Sequence, residues 1–255
     1  MNKINNLFKV KQDGILSIFM TAGYPELNST IKSLVALQES GVDMIELGMP
    51  FSDPLADGPV IQQSSSVAIG NGMTLKVLFS QLEGFREKVH VPIILMGYVN
   101  TVMQFGIEAF CVKCQEVGID GVILPDLPLF EYEASYKELF EKHGLLNVFL
   151  VTPQTSDERI REIDNASDGF IYLVSSASTT GSAKKITGVE NYLERIQGMN
   201  LNSNTIVGFN IKDKKSFNSA CKLSNGAIIG SAFVKAIEGS QNLKEDINKF
   251  IKTIK

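Results

Sequence analysis

Glu46 interrupts Met44-Ile45-Glu46-Leu47, a run otherwise suited to a dry strand, and a carboxylate buried there is costly unless it is paired, protonated or put to use. Burial raises its pKa toward neutrality, the range in which a carboxyl both gives and takes a proton. A salt bridge from strand to helix is the structural alternative. Downstream, Asp53 and Asp57 lie in Pro50-Phe51-Ser52-Asp53-Pro54-Leu55-Ala56-Asp57-Gly58-Pro59, a loop stiffened by three prolines. Proline fixes φ and glycine permits tight bends, so this loop can hold an acid in one place. Asp57 ahead of Gly58 equally suits a turn former. Two carboxylates in unlike environments can divide acid-base work.

Anion binding is a second chemistry on offer. Gly181 lies in a Ser/Thr-rich stretch, Gly208 falls near the end of an apolar run, and Gly230-Ser231 precede a short helical segment. Backbone amides at such ends, with a helix N-terminus, make a phosphate cradle. Ordinary turns account for each glycine taken singly.

Positioning these groups requires a frame, and the chain supplies a repeating one. Eight short apolar runs recur: Leu16 to Met20, Met44 to Leu47, Ile93 to Met96, Gly121 to Leu124, Val148 to Val151, Phe170 to Val174, Ile206 to Phe209 and Ala227 to Ile229. Between them lie segments with apolar residues every three or four positions, such as Ile31, Leu34, Val35 and Leu37. Runs this apolar are buried on both faces, and eight alternations over 255 residues predict an α/β fold, a single (β/α)8 barrel, ahead of an open doubly wound sheet. Met1 to Gln12 reads as an extra N-terminal amphipathic helix. Thr155-Ser-Asp-Glu158 has capping-box spacing, and Gly41, Gly118 and Gly144 follow helical stretches as helix-ending glycines do. Residues 1–255 therefore read as one catalytic domain. Two connections after strands are long, Met49 to about Gly72 and Ser175 to about Gly188, and both are candidate lids on the catalytic face.

A formal net charge of −4 offers no basic stripe for nucleic acid, and no apolar stretch approaches the ~20 residues of a membrane helix. A cytoplasmic protein is expected. Cys111 and Cys114 have C-x-x-C spacing, but in a helical pattern without a second ligand pair they read as packed helix residues. His90 and His143 sit beside strand starts and read as solvated loop residues.

Ile45-Glu-Leu-Gly-Met-Pro-Phe-Ser-Asp-Pro-Leu-Ala-Asp-Gly-Pro-Val-Ile-Gln62 closely resembles the signature of the tryptophan synthase alpha subunit family. The likeness runs on through Phe19-Met-Thr-Ala-Gly-Tyr-Pro25, Leu95-Met-Gly-Tyr-Val-Asn100, Leu124-Pro-Asp-Leu-Pro128, Tyr172 to Gly181 and Gly226-Ala-Ile-Ile-Gly-Ser-Ala232. The resemblance implies a lyase of tryptophan biosynthesis that splits indole-3-glycerol phosphate into indole and glyceraldehyde 3-phosphate without metal or organic cofactor. It makes Glu46 the general acid/base and Asp57 the carboxylate that binds the indole N–H, with Tyr172 beside Glu46. It places Phe19, Ile61, Tyr98, Leu124 and Leu150 around the indole, and backbone near Gly181, Gly208, Phe209, Gly230 and Ser231 around the phosphate. A beta subunit in an alpha2-beta2 heterotetramer is implied as partner. The chain departs from the family pattern at Gly208-Phe209-Asn210, where Gly-Phe-Gly is common, and at Ser175-Ser-Ala-Ser-Thr-Thr-Gly181. Other readings are another phosphate-binding barrel enzyme, such as an indoleglycerol-phosphate synthase or a ribulose-phosphate epimerase, and a non-catalytic barrel serving as a regulatory partner. The synthase calls for a strand lysine and the epimerase for inward histidines; neither is present in the eight runs.

Overall fold

Eight parallel strands pair in chain order: β1 (Ile15–Thr21), β2 (Met44–Gly48), β3 (Ile93–Met96), β4 (Gly121–Ile123), β5 (Leu146–Val151), β6 (Phe170–Val174), β7 (Asn204–Gly208) and β8 (Gly226–Ile229). β8 pairs back onto β1, Ile15 to Gly226 through Ile18 to Ile229, so the sheet is a closed barrel and the open doubly wound alternative is excluded. The computed structural model describes residues 2–175 and 187–255. Every residue of β1, β2, β6 and β8 is buried, as parallel strands covered by helices must be.

Around the barrel run α1 (Lys3–Val10), α2 (Ser29–Glu39), α3 (Pro59–Gly70), α4 (Leu75–Leu82), α5 (Val99–Phe105), α6 (Ile107–Val117), α7 (Leu129–Glu131), α8 (Lys137–Lys142), α9 (Asp157–Ala166), α10 (Thr187–Gly198), α11 (Lys214–Cys221), α12 (Ser231–Ala236) and α13 (Leu243–Ile254). The expected N-terminal helix is α1, and it packs against the end of the barrel where the strands begin. Its Ile4 is fully buried over Gly121 and Gly169, and the Phe8 ring lies 5.8 Å from Phe170. Asn2 caps it, accepting from the Ile4 amide at 2.9 Å while its own amide donates to the carbonyls of Asp120 and Gly144 at 2.6 and 2.9 Å. Gly41, Gly118 and Gly144 end their helices with φ of +86°, +85° and +69°, the left-handed conformation that favours glycine.

Three local expectations are corrected. The second half of the connection from Met49 to Gly72 is α3: Pro59 starts it behind an extended Gly58, and Ile61, Ser64, Ser65 and Ala68 are buried at helical spacing. Two serines on that inner face hid the period; the Ser64 hydroxyl is accommodated there by the Ile61 carbonyl and by the Thr21 hydroxyl, 2.6 Å away. The cap of α9 is Ser156, whose hydroxyl accepts from the Arg159 amide at 3.2 Å, because Thr155 is committed to the Thr152 amide at 3.0 Å. His143 is buried and not solvated, its Nδ1 2.8 Å from Gln115 Oε1, whereas His90 is exposed as expected. Cys111 and Cys114 are buried in α6, where desolvation raises both thiol pKa values. The second long connection falls on residues outside those described, apart from Ser175 and the first residues of α10. Among the described residues no helix is long and apolar enough to cross a membrane.

Candidate active site

Parity along the strands decides which side chains enter the barrel mouth. A side chain at Gly48 would strike the Phe19 ring at 2.6 Å, so Phe19 covers the end of β2. Glu46, two residues earlier on the same face, points the same way. It is fully buried; Oε1 accepts from Ser17 Oγ at 3.2 Å and Oε2 has no hydrogen-bond partner. Desolvation pushes its pKa up to about 8, against which the Ser17 hydroxyl pulls weakly. On β6, Tyr172 is buried, and its pKa is raised by desolvation and then by the charges of Glu46 and Asp57. Tyr172 thus feels the charge of both carboxylates. Gly208 gives that ring its room: a Cβ there would lie 2.0 Å from the Tyr172 hydroxyl. The requirement for glycine at 208 comes from Tyr172.

Asp57 hangs over the mouth from the loop between β2 and α3. Tyr98 holds it: the Ala56 amide donates to the Tyr98 hydroxyl at 2.9 Å, which in turn donates to Asp57 Oδ2 at 3.2 Å. Phe51 stacks on Tyr98 with centroids 5.1 Å apart and planes 27° from parallel, fixing the ring. Desolvation raises the Asp57 pKa to about 6. Phe19, Asp57, Ile61 and Tyr98 line one narrow cavity together with Met49, Phe51, Met96 and Pro125. Leu124 and Leu150 line a neighbouring hollow that shares Pro125 with the first. Of the five side chains expected around the indole, the structure brings Phe19, Ile61 and Tyr98 to one cavity with Asp57, and sets Leu124 and Leu150 beside it.

At the ends of β7 and β8 the chain turns sharply. Phe209 and Asn210 have φ of +66° and +59°, and Gly230 precedes α12 with Ser231 as its first residue. Ser175 ties the turn to β6, its Oγ donating to the Phe209 carbonyl at 2.5 Å and its amide to that of Gly208 at 3.1 Å. The Phe209 ring meets Tyr172 edge-on at 6.2 Å. Gly181 lies outside the described residues.

The family profile described as tryptophan synthase alpha chain matches residues 6–255. The chain belongs to this family. Tryptophan synthase alpha chains of Flavobacterium psychrophilum and Christiangramia forsetii are 56% and 54% identical to it, over 100% of this chain and 100% and 99% of theirs. Tryptophan synthase subunit alpha from Legionella pneumophila superposes with a TM-score of 0.89 at 30% identity, covering 100% of this chain and 97% of that one. The tryptophan synthase complex from Pyrococcus furiosus matches at 0.86 and 35%, over 96% and 98%. Membership sets aside the indoleglycerol-phosphate synthase and epimerase readings.

Where the family pattern has a second glycine, Asn210 adopts the left-handed backbone that glycine takes freely. A non-glycine residue there costs about 1–2 kcal/mol, less for asparagine, while glycine forfeits about 0.5–1 kcal/mol of chain entropy on folding. The two nearly cancel for Asn210→Gly, so its stability should stay within about 0.5 kcal/mol of the parent, whereas Asn210→Val should lose about 1–2 kcal/mol. Urea denaturation measures both. A valine variant as stable as the parent would show that the turn is not left-handed in solution.

Sequence reasoning missed Ser17, Phe51, Met49 and Met96. Ser17 left a signal, the one hydroxyl inside Ile15-Leu-Ser-Ile-Phe-Met20; the others read as ordinary apolar residues.

Proposed function

We propose that Glu46 and Asp57 divide the cleavage of indole-3-glycerol phosphate between a proton carrier and a fixed anion. The chain is a carbon-carbon lyase, releasing indole and glyceraldehyde 3-phosphate in tryptophan biosynthesis. The observation that carries the division is the difference in environment: Glu46 is fully buried with Oε2 partnerless, which pushes its pKa up to about 8 and favours the protonated form near pH 7, whereas Asp57, bonded by Tyr98, is pushed only to about 6 and stays mostly ionised. Protonation of indole C3 makes the ring nitrogen cationic, and the Asp57 carboxylate, held by Tyr98, stabilises that charge. The bond from C3 to the glycerol carbon then breaks, its electron pair returning to the ring. The hydroxyl on that carbon gives up its proton as it becomes the aldehyde, so one proton enters, one leaves, and Glu46 returns to its starting state. The apolar walls supplied by Phe19, Ile61 and Tyr98, with Leu124 and Leu150 in the adjoining hollow, suit a flat aromatic ring, and Tyr172 is assigned to the same ring. The phosphate falls to backbone around Gly208, Phe209, Gly230 and Ser231, and Gly181 is proposed with them. Residues 1–255 act as one catalytic domain in the cytoplasm.

The chain works with a tryptophan synthase beta subunit, and we assign the pair an alpha2-beta2 stoichiometry. Support for the docking face comes from exposed large hydrophobics. Leu55, Met103 and Phe130 are 87%, 57% and 67% exposed and lie after three consecutive strands, β2, β3 and β4, on the side where the cavity opens. Contact there lets neutral, apolar indole pass directly to the next site. Mixing the chain with its cognate beta subunit, while following mass and indole release, is the test: a complex and a rate gain at micromolar concentration are expected. Association without indole release under any condition would favour the non-catalytic, regulatory reading.

A further inference from the structure

We infer that Ser17 is a positioning residue of Glu46: its hydroxyl holds one carboxylate oxygen and leaves the other to exchange protons with the substrate. The inference deepens the acid-base reading of Glu46 and rests on it. Ser17 belongs to β1 and Glu46 to β2, paired so that Phe19 stands opposite Glu46 and Ser17 one step deeper on the same face. Both residues are fully buried. A hydroxyl in a layer that barrels fill with aliphatic side chains is costly unless bonded, and the bond it makes is to Glu46 Oε1, at 3.2 Å. With Oε1 engaged, the partnerless oxygen is Oε2.

The neighbouring strands contribute no competing charge. β1 reads Ile-Leu-Ser-Ile-Phe-Met-Thr and β3 reads Ile-Ile-Leu-Met, so neither carries an ionisable side chain. The titratable group coupled to Glu46 is Tyr172, from β6, which also feels the charge of Asp57 from the loop above. Neither has a hydrogen bond to Glu46 among those of the described residues. The donor that favours the ionised carboxylate is thus Ser17, and its removal tips Glu46 further toward the protonated form.

The test compares the parent with Ser17→Ala and Ser17→Thr in the full chain bound to its beta subunit. Glu46 is titrated by carbon-13 NMR of side-chain-labelled glutamate, its resonance assigned by disappearance in Glu46→Gln, and kcat/KM for indole formation is followed against pH. In Ser17→Ala the Glu46 titration should rise by about one pH unit, the scale of one hydrogen bond to a charged group. The matching limb of the rate profile should move with it, with KM changing less than kcat, and Ser17→Thr should titrate like the parent. Should the alanine variant unfold, Ser17→Cys fills the same space with a weak donor and is read the same way. A folded variant without the hydroxyl whose Glu46 titrates unchanged overturns the proposal. A titration that shifts while the rate profile stays still upholds the contact and overturns the proton-transfer role of Glu46 on which its function rests.

Discussion

Glu46→Gln should reduce indole formation by at least about 10³-fold while substrate still binds, because glutamine keeps the shape of the side chain and cannot carry a proton. The same substitution should make the fold more stable, by an amount that depends on pH. With its pKa raised from 4.5 to about 8, Glu46 is protonated in both folded and unfolded chains below about pH 4.5, and burial then imposes no ionic cost. Between those values the unfolded chain releases the proton and the folded chain keeps it, so folding becomes less favourable as pH rises, levelling off above about 8. Glutamine has no such dependence. Its stability advantage should be near zero at about pH 4.5 and grow to the order of a few kcal/mol at about pH 8. Thermal unfolding at the two pH values, beside a cleavage assay, examines both halves. Near-normal turnover removes Glu46 from the reaction, and a stability gain independent of pH removes burial as the source of its pKa.

Asp57→Asn should slow cleavage by roughly 10²-fold or more, the scale on which a charge-stabilising group acts in a site closed to water. Asparagine can still accept from Tyr98 through its carbonyl, so the loop geometry survives and the loss falls on kcat more than on KM. The parent should also lose activity as pH drops through about 6, where the carboxylate takes up a proton, and the asparagine variant should lack that limb. A change below about threefold, with the acid limb intact, would return Asp57 to the role of a turn former.

The barrel was legible because its strands are short, apolar and evenly interspersed with helices: each of the eight runs became a strand within two residues of its expected limits. Glu46 was legible for the opposite reason, a charge in a place that should be dry. α3 was misread as loop because Ser64 and Ser65 stand where a period count wants aliphatic side chains, and the Ser64 hydroxyl is accommodated there by the Ile61 carbonyl one turn earlier and by the Thr21 hydroxyl on β1. His143 was misread because its partner, Gln115, is 28 positions away on a different helix. The reason for glycine at 208 was invisible for the same cause: the constraint is a tyrosine on the adjacent strand. What local pattern carries was readable, and what depends on contact between distant elements was not.

The seating of α1 has a consequence for synthesis. Asn2 bonds to carbonyls 118 and 142 residues further along the chain, and Phe8 packs on Phe170. None of these partners exists when residues 3–10 leave the ribosome. At about 5–20 residues per second, Ile4 and Phe8 wait on the order of ten seconds with their apolar sides uncovered. Eight residues are too few to hold a helix alone in water, so over that interval the segment stays largely unstructured, and α1 forms when the strands that receive Ile4 and Phe8 have been made.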